Sequence, residues 1–148
     1  MNQNQKAFLD MIAVSEGTSK LGDNGYNVIV GGALFNDYSK HPNAKVFIKS
    51  INNYSTAAGR YQLLYKYWIA YCIRLKLNDF SPITQDIIAL QQIKECKAID
   101  DINNGNFEEA IKKCSRIWAS LPGAGYGQHE NKLDKLKIAY IDAGGVIA

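Results

Sequence analysis

Residues 13–22 read AVSEGTSKLG and set one carboxylate, Glu16, where an amphipathic helix gives way to a glycine-containing loop. Upstream, Phe8, Met11, Ile12 and Ser15 recur at the three-and-four spacing of one helical face, which predicts a helix over residues 5–15. Glu16 follows Ile12 by four positions, so it projects from the edge of the buried face. Partial desolvation and the free carbonyls of a helix C-terminus both disfavour its charged form. Two readings stand at this point: an acid kept protonated near neutral pH, or a solvated glutamate at a frayed helix end.

Working outward, YNVIV (residues 26–30) is a β-branched run between the turn signals DNG and GG, which predicts a small hairpin or three-stranded sheet. Residues 41–59, with Pro42 and paired asparagines, read as a long surface excursion with little regular structure, a candidate lip over a groove. Residues 61–77 are apolar nearly all round and predict a central core helix. A further helix over residues 80–98 has Ser81 as N-cap and Pro82 at its first position, with Ile83, Ile87, Leu90 and Ile93 or Lys94 on the inner face. After a turn at Asn103–Gly105, residues 107–121 form another amphipathic helix through Phe107, Ile111, Cys114 or Ser115, and Trp118. The stretch PGAGYGQ stops it, and a last helix over residues 129–145 carries Leu133, Leu136, Ile138 and Tyr140 or Ile141, with Gly144 as its C-terminal cap. No repeat, linker or low-complexity tract divides the chain, so residues 1–148 read as one domain.

At 148 residues with 47% hydrophobic content, the chain is long enough for a proper core. A net charge of +3 with scattered lysines argues against nucleic acid and suits a weakly anionic polymer. Cys72, Cys96 and Cys114 are an odd number without CxxC spacing, expected as buried free thiols. His41 and His129 lack metal-site spacing, so neither a metal nor any other cofactor is expected. The N-terminus shows no secretory signal and the longest apolar run, VIVGGALF, is too short to span a bilayer; no membrane insertion is expected.

Three polar, glycine-punctuated stretches stand at loop–helix junctions: SEGT (15–18), AAGRYQLL (57–64) and SLPGAGYGQ (120–128). Such junctions can gather side chains around one cleft while the helices behind stay rigid. With KAFLDM, GYNVIVGGALFNDYS, DFSP, ALQQIKE and IWASLPGAGYGQ in the same order, the sequence resembles the lambdoid phage endolysins, the lambda lysozyme family, over nearly its whole length. The resemblance implies a mainly α, α+β lysozyme-like fold, with a small antiparallel β-sheet and a helical lobe flanking a substrate groove. It implies a lytic transglycosylase acting on the β-1,4-linked glycan of peptidoglycan, with Glu16 as the catalytic acid. It further implies a monomer made in the host cytoplasm that reaches periplasmic peptidoglycan after a pore-forming phage protein, a holin, opens the membrane. Val14 stands where the family carries a tryptophan, and the excursion near residues 44–54 is shorter.

Around Glu16 the candidate substrate-binding residues are Ser15, Arg60, Tyr61, Gln62, Tyr126 and Gln128. Ser15 either bonds Glu16 or substrate, or caps a backbone carbonyl. Tyr61 and Gln62 either meet the sugar or simply open the central helix. Arg60 either pairs with a peptide-stem carboxylate or holds an internal acid. Tyr126 offers an aromatic face for stacking on a sugar, and Gln128 an amide to read its polar edge. Asp23 and Asp37 are the acids available as a second carboxylate, and Asp37 in FNDYS reads more readily as a turn residue. Use of one of them to activate water would make the protein a hydrolytic muramidase of the same fold. A non-catalytic cell-wall-binding module is the third alternative.

Overall fold

Asn2 starts the first helix with a reciprocal cap: its side chain accepts from the Gln5 backbone N–H at 2.9 Å while the Gln5 side chain accepts from the Asn2 N–H at 3.2 Å. The computed structural model describes residues 1–126 and 129–148. The chain forms two compact units, one of Met1–Glu16 with Ala89–Ala148 and the other of Gly17–Ile88.

In the first unit, helix α1 (Gln3–Ser15) is the core element, with Ala7, Phe8, Met11, Ile12 and Ala13 wholly inaccessible to solvent. Around it stand α4 (Ile99–Asn103), α5 (Phe107–Cys114) and α6 (Leu133–Asp142). Phe8 meets the rings of Phe107 and Tyr140 edge-on at 6.2 and 6.4 Å, an arrangement favoured by the ring quadrupoles. The predicted first helix is therefore present and begins two residues earlier. The last two predicted helices are shorter than expected. The α5 helix ends at Cys114, where Ser115 bonds back to the Lys112 carbonyl and turns replace regular helix. The α6 helix starts at Leu133; Leu136 and Tyr140 face inward, Ile138 and Ile141 are exposed, and Gly144 sits past its end at φ +95° as expected for a cap. The short α4 was not foreseen.

In the second unit the sheet is elsewhere than predicted. Strands β1 (Val46–Ile48) and β2 (Asn53–Ser55) pair antiparallel around a single 3-10 turn, with Phe47 opposite Tyr54, inside the stretch read as irregular. The YNVIV run makes only single bridge pairs, Val28 with Leu34 and Ile29 with Ala58, because the chain turns at Gly31 and Gly32 with φ of +93° and +106°. Helix α2 (Tyr65–Leu75) is not the core helix: Tyr71 alone is buried on it, and Ile73 is 76% exposed. Its apolar side chains Trp68 and Leu75 instead flank a cluster of Phe35, Ala58, Leu63, Tyr71, Phe80 and Ile88.

Helix α3 (Pro82–Glu95) starts as expected, with Pro82 first and the Ser81 hydroxyl accepting from the Thr84 N–H. Its inner face differs. Thr84, Gln85, Ile88, Ala89, Gln92 and Ile93 are buried, whereas Ile83 is 73% exposed. Hydrophobic periodicity misplaces the face because the polar residues on it are buried with partners. The Gln85 amide donates to the Tyr26 and Phe80 carbonyls and accepts from the Arg60 N–H, each at 2.9 Å. Among the described residues no helix is long and apolar enough to cross a membrane.

Candidate active site

Glu16 is the C-cap of α1, in helical conformation, with its N–H bonded to the Ile12 carbonyl at 2.8 Å. Gly17 then takes φ +76°, the left-handed conformation that ends helices cheaply only for glycine. The rigid last turn of α1 thus fixes where the carboxyl points. Ser120 donates to Glu16 Oε2 at 2.7 Å. Behind it lies a polar chain: Ser120 Oγ and Ser15 Oγ are 2.7 Å apart, and Asn131 Nδ2 donates to Ser15 Oγ at 3.1 Å and to the Ser15 carbonyl at 2.8 Å. Lys135 holds the Asn131 carbonyl oxygen at 3.2 Å, which orients the amide.

Glu16 keeps some solvent-exposed surface, yet its carboxyl is closely surrounded by protein. Burial lifts its pKa from 4.5 to about 7, against the opposing pull of the Ser120 hydrogen bond. Ser15 is buried and gives its hydroxyl to the Ser120–Asn131 network. Sequence reasoning missed Ser120 and Asn131. Ser120 stood at the head of the SLPGAGYGQ stretch; Asn131 carried no signal at all.

In the second unit, Arg60, Tyr61 and Gln62 do not open α2; they form the tight turn before it. Ala58 pairs with Leu63, and Gln62 sits at φ +53° with its side-chain amide on the Gly59 carbonyl at 2.8 Å. Gly59, at φ +82°, is required here, since a Cβ would strike Phe80 and the Gln85 amide. Tyr61 and Tyr26 both donate to Asp86 Oδ1, at 2.6 and 2.9 Å. Burial, then the Asp86 charge, push the Tyr61 hydroxyl far up. The Arg60 guanidinium lies over the Tyr26 and Tyr61 rings at 5.3 and 5.7 Å and donates to the Asn24 carbonyl. It is thus part of an internal acid network, one of the two readings of its sequence.

Asp37 accepts from the Ser39 N–H at 2.8 Å, a turn role, and hydrogen bonds from Ser39 hold its carboxyl below the usual range. Asp23 accepts from the Tyr38 hydroxyl at 2.8 Å. His41 is buried with one ring nitrogen on the Leu63 carbonyl and the other on the Asn43 N–H, a structural role. In the first unit, the Tyr126 hydroxyl donates to the Arg116 carbonyl while the residue stays 55% exposed. Glu130 ties down the glycine-rich turn through the N–H groups of Gly123 and Gly125, at 2.9 and 3.0 Å. Gln128 lies outside the described residues.

The Endolysin family model matches residues 6–147. The endolysin of Escherichia phage lambda is 54% identical, across 99% of this chain and 95% of its own length. That of Escherichia phage P2 is 51% identical, across 99% and 96%. The solved structure of bacteriophage lambda lysozyme complexed with a chitohexasaccharide superposes with a TM-score of 0.95 at 53% identity, covering 100% of this chain and 98% of that one. The fold is therefore lysozyme-like, mainly helical with a small antiparallel sheet. The chain belongs to the endolysin family.

Proposed function

We propose that this endolysin is a peptidoglycan lytic transglycosylase in which residues 1–148 act as one catalytic domain and Glu16 carries both proton transfers. The observation behind the reading is a carboxyl at a rigid helix end whose pKa is raised to about 7, so that it is substantially protonated at neutral pH. In the first step Glu16 protonates the leaving oxygen of the bond between N-acetylmuramic acid and N-acetylglucosamine, as an oxocarbenium-like transition state develops. In the second, the resulting carboxylate takes the proton of the C6 hydroxyl of the same muramoyl sugar. That oxygen attacks the anomeric carbon and closes a 1,6-anhydro ring. Attack within one sugar has a high effective concentration and needs no positioned water.

Support for this route over hydrolysis comes from the other acids. Asp37 is engaged by Ser39 and Asp23 by Tyr38, so each already has a structural partner. The glycan-bound lambda relative supports a glycan as substrate. On this reading Tyr61, Gln62, Tyr126 and Gln128 contribute to glycan binding, while Ser15 acts through the hydrogen bonds behind Glu16 and Arg60 through its own network with Tyr26 and Tyr61. Family membership also supports dependence on a holin-type pore for access: expression of the protein alone is expected to leave cells intact until the inner membrane is permeabilised. Prompt lysis without a helper would contradict that.

Digestion of murein in oxygen-18 water, followed by mass spectrometry of the products, tests the chemistry. Unlabelled 1,6-anhydro-N-acetylmuramic acid ends are expected. Labelled reducing ends would make the protein a hydrolytic muramidase.

A further inference from the structure

Apart from the Glu16 network, the first unit holds two thiols in contact. Cys96, just past α3, and Cys114, the last residue of α5, share a side-chain hydrogen bond, and both are free and buried. A cavity of about 410 Å³ is lined in part by Cys96. Lys113 on its wall is paired with Asp101 at 2.6 Å, which leaves Lys97, Lys112 and Arg116 against two glutamates, a small positive excess that favours anions. The Arg116 guanidinium reaches the Cys96 thiol and donates to the Glu95 carbonyl at 2.6 Å, which anchors the cation beside the sulfur.

We propose that Cys96 and Cys114 are a redox-modifiable pair: Cys96 takes up a small anionic disulfide through the cavity, and Cys114 resolves the adduct into a Cys96–Cys114 disulfide. The roles divide by environment. Cys96 lines the cavity beside the Arg116 cation, whereas Cys114 is wholly inaccessible to solvent; the pairing with Cys114 and the cation pull the Cys96 thiol down, while the same pairing and burial push Cys114 up. Cys96 is therefore the attacking thiolate and Cys114 the protonated resolver.

In the first step the Cys96 sulfur attacks one sulfur of the oxidant, whose S–S bond breaks, and the departing thiolate takes up the proton that Cys96 lost. In the second, the Cys114 sulfur attacks Cys96, the second oxidant thiolate leaves, and it takes up the Cys114 proton. Two thiols are oxidised and one disulfide is reduced to two thiols, so no further reagent is needed. The new bond would tie the end of α3 to the segment that leads from α5 to Ser120. The proposal is independent of the glycan chemistry.

The experiment incubates the folded, reduced protein with oxidised glutathione, alkylates the remaining thiols and maps the peptides by mass. A Cys96–Cys114 cross-link is expected, with Cys72, whose thiol is pushed up by burial, still alkylated. Cys114→Ser is expected to stall at a glutathione adduct on Cys96, Cys96→Ser to leave Cys114 unmodified, and Arg116→Gln to slow adduct formation several-fold. Circular dichroism checks that each variant is folded. Wild-type protein without the cross-link, adduct formation on Cys72 ahead of Cys96, or a folded Cys114→Ser variant lacking the Cys96 adduct would each overturn the proposal.

Discussion

Glu16→Gln separates the chemical role of the acid from its cost to the fold. The amide keeps the shape and still accepts from Ser120, but it has no proton to give, and general acid catalysis is typically worth about two to four orders of magnitude. Stability should move the other way. A carboxyl whose pKa goes from 4.5 unfolded to about 7 folded binds its proton more tightly in the native state. Relative to the fully protonated protein, the stability is therefore intact below pH 4.5 and is lost as pH rises from there through about 7, the loss being the cost of holding a buried charge. The full shift corresponds to an upper bound of about 3 kcal/mol, reduced to roughly 2 kcal/mol by the solvent that Glu16 still meets. Gln carries no such penalty. The variant should match wild type near pH 4 and melt roughly 5 °C higher near pH 8, as read by calorimetry on both proteins across that range. Equal melting temperatures at every pH would refute the desolvated acid, and undiminished murein lysis by the folded variant would refute its catalytic role.

Ser120→Ala removes the donor that favours ionised Glu16, a hydrogen bond worth about 1.5 kcal/mol, so the alkaline limb of the pH–activity profile should move up by about one pH value. A limb that stays in place or moves down would count against Ser120 as the group tuning Glu16. Gln85→Ala strips partners from three backbone groups at once and should destabilise the protein by about 3 kcal/mol or more in urea titrations. A loss under about 1 kcal/mol would mean that water replaces the amide.

What was legible in the sequence follows from what sequence patterns measure. The place of α1 and of Glu16 at its end could be read because apolar residues there recur with the helical period and a glycine follows. The start of α3 was equally plain, since Ser81 and Pro82 act locally. Its buried face was not, because Gln85 goes inside on the strength of hydrogen bonds to distant Tyr26 and Arg60, and Thr84 on one to Asp79. The hairpin was assigned to the wrong run for a similar reason. Val28 and Ile29 have the propensity, but strand pairing depends on what lies opposite, and Val46–Ile48 has a partner in register whereas YNVIV makes only single bridges. Helix α2 was misjudged because apolar character all round does not say how much of the surface finds cover. At the site, Glu16 was visible as a residue type in a motif, while Asn131 reaches Ser15 from 116 positions away and leaves no local trace.

The direction of the polar chain bears on how Glu16 would work. Asn131 Nδ2 has only hydrogens to offer, so Ser15 Oγ accepts from it. Ser120 has one proton, and it goes to Glu16 Oε2, so in the Ser15–Ser120 contact Ser15 must be the donor. With Glu16 ionised each hydroxyl in the series is thereby assigned; with the acid protonated on Oε2 the series could instead run from Glu16 through Ser120 to Ser15, whose oxygen has a lone pair for each of Ser120 and Asn131. A proton placed on Oε1 leaves the first pattern unchanged, with Oε2 accepting in both states of the acid. When Glu16 is a carboxylate, Oε1 is the oxygen free of the Ser120 bond and open to take up a proton. In that first pattern one oxygen serves as anchor throughout while the other exchanges the proton, which is what a group acting first as acid and then as base requires. The carboxyl need not rotate between the two steps, because the residues behind it hold the same pattern before and after transfer.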